Sequence, residues 1–186
     1  MQIAAYLDES EENTQNGRLV ILAPRYGETK KNNLQISYFL AANGFKVLRF
    51  DQSNHIGESD GTMDQFTLEN AAEDIICIVD YVERHLSPTE IILLTLSLSS
   101  RCGMRACAKD SRIARYISIV GMVDMDSTLQ AIYKRDFFGE LTSGAEWRMV
   151  DILGFEIDGA HFHDSLVQSR MKDLQGTLQD LSLIHI

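Results

Sequence analysis

The residue of this chain best placed to do chemistry is a serine at the end of an apolar strand-like run. Leu94-Thr95-Leu96-Ser97-Leu98-Ser99-Ser100 follows Ile91-Ile92-Leu93 and leads into Arg101-Cys102-Gly103-Met104-Arg105-Ala106. When a strand turns sharply into a helix, the turn lifts a serine Oγ out of the sheet, and the next backbone N–H can stabilise an oxyanion. The turn also crowds the residues two before and two after the serine, so the usual pattern is Gly-x-Ser-x-Gly. Here those neighbours are Thr95 and Ser99. Strained backbone at such a corner costs on the order of 1 to 3 kcal/mol, and a β-branched Thr95 adds crowding. The same residues also read as a strand end with Ser97 capping the following helix.

Two further segments leave strand-like runs in the same way. Phe50-Asp51-Gln52-Ser53-Asn54-His55-Ile56-Gly57-Glu58-Ser59-Asp60-Gly61 ends in Gly-x-Ser-x-Gly, and Ala23-Pro24-Arg25-Tyr26-Gly27 follows the strand before it. In an open parallel sheet, ligands bind in the crevice beyond the carboxyl ends of the strands, so three such corners fit one site. His55 lies in a loop near that crevice, within reach of a substrate. As the base of a serine triad it has the wrong chain order.

At this point a resemblance becomes specific. Asp51 to Leu68, with His55-Ile56-Gly57 and Ser59-Asp60-Gly61-Thr62-Met63-Asp64-Gln65-Phe66-Thr67, is similar to the matching segment of the bacterial bioluminescence acyltransferases, the myristoyl-acyl-carrier-protein thioesterases of the α/β-hydrolase superfamily. That family uses Ala-x-Ser-x-Ser at its elbow, which Thr95 to Ser99 matches apart from Thr95. Ala41 to Val47, Val120 to Val123 and the region from Gly154 towards Leu181 also resemble it, and the likeness is densest from Ala41 to Arg101. The resemblance implies an acyl-enzyme on Ser97, a fatty acyl thioester as substrate with acyl carrier protein as its partner, and release or transfer of the acyl group. The backbone N–H groups of Leu98 and Tyr26 are the implied oxyanion donors. Arg25 departs from the family, which has Gly there. The implied acid and histidine are expected beyond Ile186, because the fold orders its triad Ser, acid, His. A carboxylester hydrolase of the same fold and a non-catalytic pseudo-hydrolase that binds a partner are the alternatives.

The elements that must position these residues are legible as patterns. Ile3 to Leu7 and Leu19 to Ala23 read as strands, joined as a hairpin through the polar segment Asp8 to Gly17. Asn33 caps a helix that Gly44 ends, and Phe45 to Phe50 is a strand. Thr67 to His85 is an amphipathic helix closed by Pro88, with His85 as a cation at its end. Ile91 to Leu96 is a central strand, Ser99 to Lys109 a helix and Tyr116 to Val120 a strand. Alternation of this kind predicts a mostly parallel sheet with helices on both faces. Beyond Val123 the pattern shows helices at Ser127 to Lys134 and His163 to Leu181, and no strand. The expectation is a single, incomplete α/β-hydrolase domain over residues 1–186, with a sheet core (1–123), a helical lid (124–181) and the last strands missing. Phe137, Phe138, Trp147 and Met149 are candidates to line an acyl tunnel and fit equally well as plain core residues. Residues 182–186 resemble translated adapter sequence and read as a non-native tail.

Composition narrows the function classes. A formal net charge of −10 in 186 residues argues against a nucleic-acid or anionic-membrane surface. No run approaches the roughly 18 to 20 apolar residues of a bilayer span, which together with the N-terminus predicts a cytoplasmic protein. Cys77, Cys102 and Cys107 are odd in number and lack metal-type spacing, so they are expected reduced and buried. His161 and His163, flanking Phe162 in what reads as an extended segment, lack the further ligands a metal needs. Asp124 and Asp126 read as turn and helix-capping residues. No metal or cofactor is expected.

Overall fold

The computed structural model describes residues 1–11, 17–122, 124–134, 136, 139–140, 149–168 and 176. Strands β1 (Ala5–Asp8), β2 (Arg18–Leu22), β3 (Lys46–Phe50), β4 (Glu90–Leu96) and β5 (Ile113–Ile119) form one sheet in the order β1-β3-β2-β4-β5. All neighbours are parallel except β1 and β3. Helices α1 (Leu34–Ala42), α2 (Leu68–Leu86) and α3 (Ser99–Lys109) connect the parallel strands. Side chains alternate across β2: Leu19 and Ile21 join the larger core with Ile75, Val79 and Cys102, while Val20 and Leu22 join Val47, Ile92 and Leu94 against Ile36 and Leu40 of α1. Helices therefore cover both faces, as parallel strands apolar on both sides require.

The expected hairpin between the first two strands is not formed. Strand β1 crosses the chain and pairs antiparallel with β3, with Ala5 opposite Phe50 and Asp8 opposite Val47. The physical reason is burial. Strand β2 is almost wholly buried and takes the middle of the sheet, whereas β1 is exposed along most of its length and suits an edge. Asp8 fixes the edge pairing by accepting from the buried Arg49 guanidinium at 2.6 and 3.0 Å and from Ser37 Oγ at 2.6 Å.

Four local expectations are also corrected. Asn33 precedes α1, but with φ of 60° and no side-chain cap; its Nδ2 donates to Glu28 Oε2 instead. Cys77 is exposed and Cys107 only half-buried, because Cys77 falls outside the apolar stripe of α2; Cys102 alone is buried. The region after Val123 does contain strands. Helix α4 (Met125–Tyr133), capped by Asp124 Oδ1 accepting from Ser127 N, precedes an antiparallel pair, β6 (Met149–Ile152) and β7 (Phe155–Asp158). Leu153 and Gly154, with φ of 52° and 91°, make the two-residue connection, whose positive φ values match the twist of a hairpin. Leucine rather than asparagine at the first of these positions hides the turn from sequence. His161 and His163 lie on helix α5 (Gly159–Gln168), not on an extended segment, so residues two apart point away from each other. Phe137, Phe138, Trp147, His185 and the tail 182–186 lie outside the described residues, and Met149 is half exposed. Among the described residues, no helix is long and apolar enough to cross a membrane.

Candidate active site

Ser97 stands in the turn between β4 and α3 with φ of 55°, in the left-handed region. Its carbonyl accepts from Ser100 N at 3.1 Å and from Met122 N at 3.0 Å, and its own N–H donates to Ile119 O at 3.2 Å. The turn is thus held from the helix side and from the end of β5. A left-handed non-glycine residue costs about 1 to 2 kcal/mol, and these bonds hold it there. Ser97→Gly is therefore expected to leave the fold no less stable, and to stabilise it by about 0.5 to 1 kcal/mol in urea denaturation, whereas Ser97→Ala keeps the strain and gains nothing.

The unusual residues two positions either side of the serine have specific places. Thr95 is buried beneath the turn, and its Oγ1 pairs with Tyr116 Oη at 2.9 Å and donates to Ser100 Oγ at 3.3 Å. Tyr116 also donates to Ser100 O at 2.7 Å, and Ser118 Oγ to Ser100 Oγ at 2.8 Å. The extra methyl of Thr95 fits because residue 103 has no side chain: a Cβ on Gly103 would lie 2.7 Å from Thr95 Cγ2 and 2.8 Å from the Tyr116 ring. The crowding expected at the elbow is thus absorbed one helical turn along α3. Ser99, buried, donates its hydroxyl to the carbonyl of Pro24 and so ties the elbow to the loop after β2.

That loop closes on itself through a turn in which Glu28 N donates to Arg25 O at 3.0 Å, while the Arg25 guanidinium pairs with Glu28 Oε1 at 2.5 Å. Arg25, where the resembling family has glycine, is exposed and its side chain folds onto Glu28. The Tyr26 ring packs edge-on against His55, Phe66 and Phe155 at centroid distances of 5.3, 5.2 and 5.5 Å. Burial pushes the Tyr26 phenol above its ordinary range. Among the described residues, no hydrogen-bond partner is found for Ser97 Oγ or for the N–H groups of Leu98 and Tyr26.

The third loop is fixed by two buried carboxylates. Asp51 accepts from Lys30 N and Lys30 Nζ, each at 2.6 Å, and from Glu58 N at 2.8 Å. Asp74 of α2 accepts from Ser53 N at 2.6 Å and Ser53 Oγ at 2.9 Å, and burial raises its pKa. Lys30 is also buried. Desolvation alone would lower its pKa, yet the hydrogen bonds to Asp51 and Glu58 hold it above the ordinary value and keep it charged. Sequence reading missed Lys30, Asp51 and Asp74 as organisers, since nothing in their spacing marks them as partners. Between the two anchors His55 turns inward, 5% exposed, and its Nε2 accepts from Gly27 N at 3.1 Å. Its ring therefore meets the loop after β2 rather than lying open on the surface.

The remaining candidates do not join this arrangement. Burial pushes the thiols of Cys102 and Cys107 up to about 12, so neither is a thiolate at neutral pH. His85 sits in the last turn of α2, and His161 and His163 on α5. Among the described residues, no three His, Cys, Asp or Glu side chains are grouped to hold a metal ion.

Comparison with known proteins bears on this geometry. A family profile described as "Acyl transferase" matches residues 5–186. An acyl transferase of Photorhabdus luminescens is 25% identical over 171 residues, 90% of this chain and 53% of that protein. One from Photobacterium phosphoreum is 27% identical over 118 residues, 63% of this chain and 38% of that protein. The chain thus spans about two fifths to one half of the length of these relatives. Among solved structures, Est1E from Butyrivibrio proteoclasticus with bound ferulic acid superposes with a TM-score of 0.75 at 22% identity, covering 92% of this chain and 69% of that one. A monoacylglycerol lipase from Paleococcus ferrophilus superposes with a TM-score of 0.63 at 18% identity, covering 95% and 73%. These structural neighbours, α/β hydrolases, establish the fold.

Proposed function

Since this chain belongs to the acyl transferase family, we propose that Ser97 is the nucleophile of an enzyme that takes an acyl group from a fatty acyl thioester, carried on acyl carrier protein, and passes it to water or another acceptor. The observation that carries the reading is the left-handed Ser97 at the strand-to-helix corner, its hydroxyl uncommitted among the described residues. A serine accepts that strain where the turn presents its Oγ.

In this reading Ser97 Oγ attacks the thioester carbonyl carbon, its proton passes to a histidine base, and the carbonyl oxygen becomes an oxyanion. The N–H groups of Leu98 and Tyr26 receive that charge, a contribution of about 3 to 4 kcal/mol per donor in comparable sites. Collapse expels the thiol and leaves the acyl group on Ser97, from which water or an acceptor removes it. The proposal assigns the acid and the histidine to positions after Ile186, in the chain order of this fold. The segment from α4 to α5, whose Phe155 packs on Tyr26, serves as the lid over the acyl chain.

Expressed from its full reading frame, the protein is expected to react with a serine-directed fluorophosphonate and to form a trappable acyl-enzyme with a long-chain acyl thioester. Ser97→Ala should remove both signals. Labelling that survives Ser97→Ala ends the assignment, and a preference for short aryl esters over long acyl thioesters replaces the substrate class with that of a carboxylester hydrolase.

A further inference from the structure

We propose that His55 is a positioning residue for the loop after β2, accepting the Gly27 N–H at Nε2 and so holding in one orientation the neighbouring peptide that carries the Tyr26 N–H. The inference rests on the reading of Ser97 and Tyr26 given above and extends it to a residue that touches neither substrate nor nucleophile.

Three observations carry it. First, the bond joins two loops that are already held at other points, with the Asp51 carboxylate serving both. The His55 loop is held by Asp51 and Asp74 through the amides of Glu58 and Ser53. The Tyr26 loop is held by Ser99 at Pro24 O and by Asp51 at Lys30 N. His55 to Gly27 is the link between these anchors nearest to Tyr26. Second, the imidazole cannot turn away without disrupting its packing. It lies edge-on to Tyr26 at 5.3 Å and Phe66 at 5.2 Å, and tilted towards Phe155 at 6.3 Å. Gly27, with φ of 79°, is backed by the Phe155 ring at 2.7 Å from where a Cβ would stand, so the loop cannot relax in that direction either. Third, the aromatic box needs only a flat ring. A phenylalanine would fill it, and what histidine adds is an acceptor at Nε2, with its proton on Nδ1; among the described residues Nδ1 has no hydrogen-bond partner. The chemistry of the residue is therefore spent on the Gly27 amide.

The test compares His55→Phe, which keeps the ring and removes the acceptor, with His55→Gln, whose carbonyl oxygen returns an acceptor near the Nε2 position. With myristoyl-coenzyme A as the probe, His55→Phe is expected to lower kcat and the rate of fluorophosphonate labelling at Ser97 by about 10- to 100-fold. That lies somewhat below the loss seen when an oxyanion donor is deleted outright. KM should change by no more than about twofold, since an oxyanion donor acts in the transition state, and His55→Gln should recover most of the rate. Nitrogen-15 NMR of the unmodified protein should show His55 Nε2 unprotonated, and Gly27 N–H exchange should be faster in His55→Phe. A folded His55→Phe protein that labels at the original rate overturns the proposal, as does an Nε2 that carries the proton. If instead the unmodified protein is not labelled at Ser97, the functional reading falls and takes this role with it, while the NMR result still decides whether the hydrogen bond exists.

Discussion

Lys30→Met is expected to destabilise the protein by about 3 to 5 kcal/mol, the cost of removing one partner from a buried ion pair. Lys30 and Asp51 are 2% and 0% exposed, with Nζ and Oδ2 2.6 Å apart. Methionine fills the volume of the lysine stem but leaves the carboxylate with two backbone donors, Lys30 N and Glu58 N, and no cation. The carboxyl group is also sterically committed, because a Cβ on Gly57 would stand 2.5 Å from Asp51 Cγ. Paired with Asp51→Asn, Lys30→Met should lose distinctly less than alone, because the uncompensated charge is gone. Denaturant midpoints at constant m-value measure both. A loss under about 1 kcal/mol for the single variant would remove the ion pair from its place as anchor of the loops beside Ser97.

The second large effect is a dependence on pH. Burial of His55 depresses its pKa from 6.5 to about 4, with the Ile56 backbone and then the Asp51 charge opposing the shift. In the unfolded chain the imidazole takes up a proton as pH falls through 6.5, whereas the folded protein refuses it until about 4. The unfolded state therefore binds more protons in that window, and stability rises with pH across it. The contribution is fully present above pH 6.5 and lost as pH falls to about 4, a total of about 3 kcal/mol at 1.36 kcal/mol per pKa unit. Protonation also removes the Nε2 acceptor from Gly27, so this one link between the two loops is lost as the group titrates. Most carboxylates titrate below about pH 5, but burial raises Asp74, so between pH 5 and 6.5 the His55 contribution is read as the difference between the unmodified protein and His55→Phe. There, His55→Phe should flatten the stability curve, and a slope unchanged by that substitution rules His55 out as its source.

Much of the scaffold was legible before any coordinates. Continuous apolar runs such as Ile91 to Leu96 declare strands covered on both faces, and the stripe through Leu68, Ile75, Val79 and Val82 declares the long face of α2. Ser97 was legible as a corner because the apolar run stops there and a helix-forming segment begins. These are local signals, set by the period of each element and by what its faces must touch.

What only the folded chain decided was who partners whom. The polar turn after β1 has the composition of a hairpin connection, yet global burial sends β1 to the sheet edge beside β3, because β2 needs cover on both sides. The β6–β7 hairpin escaped notice since Leu153 takes a positive φ that its residue type does not advertise. Thr95, an obstacle in the linear pattern, is accommodated by Gly103 eight residues away, and Ser99 replaces a glycine by bonding to Pro24. The same holds for Lys30 with Asp51, Ser53 with Asp74, and His55 with Gly27. Periodicity specifies which face of an element is apolar. It carries no information about which distant carboxylate or amide a buried polar group will meet, since that pairing exists only once the sheet has brought the strand ends together.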